Sequence, residues 1–325
     1  MSARGLSVRG LTTRLSTEDG EVRAVTDVSF DLSPGEIVGL VGESGSGKSL
    51  TALSLLGLLP RGGRITSGSV RLDGRELVGL DDAELRRVRG RQIAMIFQDP
   101  MTSLNPYLTV GEQVGEPARL HRGFGARDAH RLAVSLLEQV GVPEPERRAR
   151  GFPHELSGGM RQRAMIAMAL AGEPSVLLAD EPTTALDVTI QAQVLALLAS
   201  LCRERSLAVL LVTHDLGVVS MTTNRTLVMY AGRIVEGGPT GEVLRSPRHP
   251  YTRALLRSVP RVEQRGLRLE VIGGLSPRLT GEEPDGCSFR PRCGEARTTC
   301  ATGQPPRVEL PGREHRCVLA GGAPP

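Results

Sequence analysis

Gly42-Glu43-Ser44-Gly45-Ser46-Gly47-Lys48-Ser49 contains the single lysine of a 325-residue chain whose other 39 basic residues are all arginine. A chain that uses guanidinium everywhere else keeps an ammonium at this one place. The run matches G-x-x-x-x-G-K-[ST], a glycine-rich loop whose backbone N–H groups wrap nucleotide phosphates. A compact ammonium reaches the β- and γ-phosphates, where a wide planar fork would collide with the loop. Glu36 to Val41, just before it, reads as a buried strand. Lys48 to Leu59 reads as a helix whose N-terminus adds a positive end, stopped by Pro60 and the Gly62-Gly63 pair. Strand, loop and helix in that order place Gly42, Ser44, Gly45, Gly47, Lys48, Ser49 and Leu50 around a phosphate chain.

Working outward, Val176-Leu177-Leu178-Ala179-Asp180-Glu181 is an apolar strand ending in two acids. A buried strand delivers its C-terminal acids to the sheet edge where nucleotides sit. Asp180 there suits Mg²⁺, held mostly through water, and Glu181 suits the general base for an attacking water. A second anion site is written at Leu156-Ser157-Gly158-Gly159-Met160, where Ser157, Gly158 and Gly159 open a helix predicted from Met160 to Leu170. One nucleotide cannot easily use both helix starts of one subunit. A head-to-tail dimer, with ATP between the lysine loop of one subunit and the Ser-Gly-Gly of the other, resolves this.

Strand-length apolar runs at 175–179 and 207–212, with a helical stretch at 190–203 between them, predict a mostly parallel sheet with helices against it. Residues 5–33 alternate like short antiparallel strands. Residues 80–172 read as helical, and Asp128 to Val140 is amphipathic, with Leu132, Val134, Leu136, Leu137 and Val140 on or near one face. The net charge is +4 and aromatics are 2% of the chain, with no tryptophan. That argues against a basic nucleic-acid stripe and against the stacking platforms that bind single strands. The N-terminus lacks the apolar core of a signal peptide, and no apolar run is long enough to span a bilayer. The expectation is a soluble, cytosolic chain able to dock onto a membrane partner. No internal repeat is found, and the tail from Gly321 to Pro325 is expected to be disordered.

Together with Gln98 in IFQDP, Asp187 in TTALD and His214 in VTHD, these motifs resemble the nucleotide-binding subunit of an ABC transporter. They occur in the family's order over about residues 5–237. The resemblance implies an α/β fold: an ABC-type P-loop ATPase with a mixed central sheet, an antiparallel β subdomain and a helical subdomain near 92–165. It also implies that Gln98 contacts Mg²⁺ with Ser49 and Asp180, and senses the membrane subunit. Asp187 would cross the dimer interface, and His214 would contact the γ-phosphate. One position departs from the family: Leu15 stands where an aromatic residue usually stacks on adenine. Aliphatic contact, or Arg23, must then serve.

IFQDPMTSLNP, LSGGMRQR and His249-Pro250-Tyr251-Thr252-Arg253-Ala254-Leu255-Leu256 resemble the oligopeptide/dipeptide importer branch. Met160, in place of glutamine, resembles the first of the two ATPase subunits such importers pair. The implied function is the ATP-hydrolysing motor of a peptide importer. Its partners would be a second ABC ATPase subunit (heterodimer or homodimer), two transmembrane permease subunits and, indirectly, an extracytoplasmic peptide-binding protein, at the cytoplasmic face of the membrane. An importer of nickel or other small cargo, and a soluble non-transport ABC ATPase, are the alternatives. Residues 238–325 then form a C-terminal extension carrying Cys287, Cys293, Cys300 and Cys317, spaced C-x5-C-x6-C-x16-C. Zinc sites begin with tighter pairs, four thiolates equally hold an iron–sulfur cluster, and reduced structural cysteines are a third reading. His315 is an alternative ligand. The branch includes members with a 4Fe–4S cluster at such cysteines, and the resemblance implies one here, as a structural staple.

Overall fold

The computed structural model describes residues 5–18, 20–98, 103–183, 186–259, 272–277, 279–281 and 285–320. Asp99 to Thr102 of the glutamine loop, Thr184, Ala185 and the Gly321–Pro325 tail lie outside the described residues. Along the chain the strands are β1 (Leu6–Thr17), β2 (Gly20–Leu32), β3 (Ile37–Val41), β4 (Gly63–Leu72), β5 (Arg75–Glu76), β6 (Ile93–Ile96), β7 (Val176–Asp180), β8 (Ala208–Thr213), β9 (Arg225–Tyr230), β10 (Arg233–Pro239), β11 (Val308–Leu310) and β12 (Arg313–His315). The helices are α1 (Lys48–Leu55), α2 (Asp82–Val88), α3 (Val110–Arg122), α4 (Ala126–Gln139), α5 (Pro145–Arg150), α6 (Gly158–Ala171), α7 (Val188–Arg205), α8 (Leu216–Thr222), α9 (Thr240–Arg245) and α10 (Pro250–Arg257). The chain divides into two compact units, one of residues 1–6, 32–37 and 72–212, the other of 7–31, 38–71 and 213–325.

The second unit holds the lysine loop. β1 and β2 form a long hairpin with β4 beside β1. Along β1 the buried positions Leu6 and Val8 give way to Leu11 and Thr13, so the alternation slips by one residue near Gly10. A further sheet runs β11-β12-β10-β9-β3. In it β3 is parallel to β9 (Val38↔Arg225 to Val41↔Val228), whereas β9/β10 and β10/β12 are antiparallel. Every residue of β3 is buried, as a strand covered on both faces requires. One apolar cluster joins Val41, Val228 and Tyr230 to Tyr251, Leu255 and Phe289 of the C-terminal extension. The extension also pairs with distant chain: Arg316 makes an ion pair of 2.6 Å with Asp27, and its N–H donates to Val235.

α1 is shorter than the sequence predicts. Leu58 N–H returns to Leu53 O (3.0 Å) and Gly57 N–H to Ser54 O (3.1 Å), with Gly57 left-handed at φ +61°. This glycine cap stops the helix before Pro60 is reached.

In the first unit β6, β7 and β8 are parallel, with Ile93↔Val176 and Val176↔Ala208 in register. α3, α4 and α6 pack on one another, and α6 also contacts β6. α3 starts with a full capping box, Thr109 with Glu112. The innermost residues of α4 are Ala129, Ala133, Leu136 and Leu137, while Leu132 and Val134 are half-buried. Small alanines let the helices approach where the sequence reading looked only for large side chains. The 80–172 stretch is not purely helical: β6, Ile-Ala-Met-Ile, is too short to show a period of its own. Among the described residues no helix is long and apolar enough to cross a membrane.

Candidate functional site

In the second unit β3 ends at Val41, and the loop from Gly42 to Gly47 turns the chain into α1. Gly47, the N-cap, has φ +105°, and a Cβ there would lie 2.4 Å from the Ala24 carbonyl oxygen. Only glycine fits. The Lys48 side chain folds back over the loop, its ammonium donating to the carbonyls of Gly42 (2.9 Å) and Glu43 (3.0 Å). Lys48 is 6% exposed. α1 has no side-chain cap and no acid in its first turn, so its N–H end keeps a positive field for an anion. Ser44 and Gly45 are exposed at the tip, while Ser49 and Leu50 are half-buried in the first helical turn. His214 is exposed just past β8, and Asp215 beside it caps α8 by accepting from Gly217 and Val218.

The first unit holds the acids. Asp180, the last residue of β7, is 5% exposed. Glu181 follows in the left-handed region at φ +45°, and its N–H donates to Val212 O at 2.8 Å. A non-glycine residue held there costs on the order of 1 kcal/mol and marks a position the surroundings fix. Gln98 donates from Nε2 to a Glu181 carboxylate oxygen at 3.0 Å. The sequence predicts both residues separately; the contact between them is new.

Ser157 caps α6, its hydroxyl accepting from Met160 N–H, and Asp187 caps α7, accepting from Ile190 N–H. Both starts line one cavity of about 470 Å³ with Gly158, Gly159 and Arg163. The predicted second anion site and the predicted interface residue are thus neighbours. The candidate nucleotide residues divide between the units: Gly42, Ser44, Gly45, Gly47, Lys48, Ser49, Leu50 and His214 in one, Gln98, Ser157 to Gly159, Asp180, Glu181 and Asp187 in the other.

None of the five cysteines is paired in a disulfide. Cys202 is buried on α7 with its thiol on Leu207 O, a packing role. Burial pushes the Cys287, Cys293 and Cys317 thiols up, and each also feels other cysteines of the cluster. Cys287 N–H donates to Cys300 O at 3.0 Å. The four therefore share one neighbourhood, and the donor set suits iron–sulfur chemistry. Among the described residues, however, no group of three or more His, Cys, Asp or Glu side chains is gathered tightly enough to grip a metal ion.

Sequence reasoning missed the polar ties of the extension. Glu236 on β10 is fully buried and accepts from Arg248 N–H, His249 N–H and the Arg313 guanidinium (2.8, 2.9 and 2.9 Å). His249 caps α10 with Nδ1, accepting from Tyr251 N–H at 3.0 Å. Burial pushes its pKa down to about 3, with His315 and Arg253 adding to the effect. The His-Pro-Tyr run that carried the resemblance is thus a structural joint. An acid such as Glu236 in an otherwise apolar strand was the available signal.

Comparison with known proteins bears on the family and the fold. Residues 25–184 match the ABC transporter model, and residues 235–300 match the oligopeptide/dipeptide transporter C-terminal region. A putative peptide import ATP-binding protein of Brucella melitensis is 52% identical over 96% of both chains. The oligopeptide transport ATP-binding protein OppD of Salmonella typhimurium is 50% identical over 96% of this chain and 92% of its own. Among solved structures, the dimeric ATP-binding cassette MJ0796 with ADP and Pi superposes with a TM-score of 0.66 at 31% identity, over 72% of this chain and 98% of that one.

Proposed function

Because this chain belongs to the ABC transporter family of ATP-binding proteins, as its match to relatives over nearly its whole length shows, we propose that it is the ATP-hydrolysing motor of a membrane importer for peptides. The observation that carries the reading is one chain combining the lysine loop, the Asp180-Glu181 strand end and the peptide-branch C-terminal region. In this reading Lys48, with Gly42, Ser44, Gly45, Gly47, Ser49 and Leu50, holds the phosphates, and Glu181, aimed by Gln98, takes the proton of the attacking water. His214 approaches the γ-phosphate. Ser157, Gly158, Gly159 and Asp187 complete the site of an opposing ATPase subunit, in the head-to-tail dimer that two anion-binding helix starts require. Ser49, Gln98 and Asp180 would hold Mg²⁺, which when bound offsets phosphate charge. Dimer closure moves two permease subunits, so the chain sits peripherally on the cytoplasmic face of the membrane.

We also propose that Cys287, Cys293, Cys300 and Cys317 hold a 4Fe–4S cluster, which would tie together a segment rich in proline and poor in apolar residues. Iron and sulfide near four each per chain after anaerobic purification would support it, and zinc or no metal would refute it. For transport, the test is ATP turnover in vesicles holding the chain with its permeases. Turnover stimulated by loaded peptide-binding protein is expected. Stimulation by a nickel-loaded binding protein instead would overturn the peptide assignment.

A further inference from the structure

The first variable position of the lysine loop is an acid, Glu43, an unfavourable charge beside a site for phosphates. All its polar groups are held. Its carboxylate takes two parallel hydrogen bonds from Arg292, at 2.7 and 2.9 Å. Its N–H donates to the Tyr251 hydroxyl at 2.9 Å, and its carbonyl accepts from Lys48 at 3.0 Å. Arg292 and Tyr251 both belong to the extension. Arg292, with a side chain 5% exposed, is itself fixed by donating to Gly273 O (2.9 Å) and Ile272 O (3.3 Å). Tyr251 is fully buried against Tyr230 and Phe289, with ring centroids 4.5 and 5.4 Å away. A second contact runs alongside: Arg23 N–H on β2 donates to Leu279 O at 2.8 Å. The extension therefore touches the nucleotide-binding half of this unit at the loop and at β2.

We propose that Arg292 and Tyr251 are positioning residues for ATP binding. They hold Glu43, and through it the backbone of the loop, in the shape that receives phosphates. Arg292 also neutralises and ties back a carboxylate that would otherwise repel the nucleotide. A bidentate guanidinium suits this task because it fixes direction as well as charge. The proposal rests on the ATP-binding reading, which the unsubstituted chain tests in the same titration.

The experiment is equilibrium titration of the full chain with a slowly hydrolysed ATP analogue and Mg²⁺, for Arg292→Gln, Glu43→Gln and the double variant. Arg292→Gln should raise Kd about tenfold, the scale of one uncompensated like-charge contact in a partly solvated site. The double variant should return to within about threefold of the starting Kd, because the repelling charge is gone. In ATPase assays KM should rise while kcat stays level. An unchanged Kd in Arg292→Gln, or a loss that the double variant keeps in full, overturns the proposal. If Arg292→Gln does not fold, Tyr251→Phe decides. It keeps the ring packing and removes only the hydroxyl, so a severalfold rise in Kd supports positioning and no change overturns it.

Discussion

Gln98 and Glu181 are joined by a hydrogen bond of 3.0 Å, from the amide of a loop after β6 to the carboxylate that follows β7. The bond ties the residue proposed to sense the permease to the residue proposed to activate water. Moving the glutamine would release or re-aim the base.

Glu181→Gln should therefore lower kcat by about 10²- to 10⁴-fold, the usual worth of a general base. ATP should still bind and become trapped. Phosphate release measured beside retained nucleotide separates the two effects, and sustained hydrolysis would remove Glu181 from this role. Gln98→Ala should cost less, about tenfold, because the base remains but is no longer aimed.

Lys48→Arg tests why the chain keeps one lysine among its arginines. Lys48 sits 6% exposed with its ammonium across two loop carbonyls. A guanidinium keeps the charge but not the size, so Kd for MgATP should rise by about tenfold or more. Retained affinity would mean that the lysine is a matter of ancestry rather than fit.

Glu236→Ala removes the acceptor for two backbone N–H groups and for Arg313, whose side chain is 8% exposed. Breaking a buried pair from one side leaves the other charge stranded, at about 3–5 kcal/mol. Chemical denaturation should show that loss, with Arg313→Ala close behind. The double variant should lose less than the two added together.

His249 makes stability depend on pH. It stays neutral in the folded chain down to about pH 3 because of burial, helped by His315 and Arg253 and opposed by a hydrogen bond to the Arg316 backbone. In the unfolded chain it takes a proton near its ordinary pKa of about 6.5. Between those values the unfolded state binds the extra proton. Stability is thus full above about pH 6.5 and falls as pH drops, by at most about 1.4 kcal/mol per pH unit for this one group. Melting curves from pH 7 to 5 should show the fall. His249→Asn, which keeps a cap acceptor, should start lower and fall less steeply.

The nucleotide motifs were legible in the sequence because each is local: a strand, a tight turn and a helix start lie within a dozen residues. β3, β7 and β8 could be read within a residue or two for the same reason. Leu-Ser-Gly-Gly and the Asp187 turn could each be read alone, though the cavity that joins them could not. β6 was hidden because four apolar residues carry no period. The ties of Arg292 to Glu43 and of Glu236 to Arg313 span 249 and 77 residues. No local pattern marks the partners in such pairs: Glu236 stands out as an acid in an apolar strand, but nothing near it points to Arg313. The pairing of the cysteine region with the lysine loop is visible only in three dimensions.

The tie of Arg316 to Asp27 spans 289 residues and sets a condition on biosynthesis. β1, β2 and the lysine loop leave the ribosome well before the strand beside β10 and the arginine that anchors Glu43. Contacts this remote cannot form until nearly all of the chain has emerged. Until then Val41, Val228 and Tyr230 lack the cover of Tyr251, Leu255 and Phe289. A message cut short before codon 292 would yield a product with every ATP-binding motif present and the loop unsupported, a substrate for chaperones and proteases rather than a smaller motor.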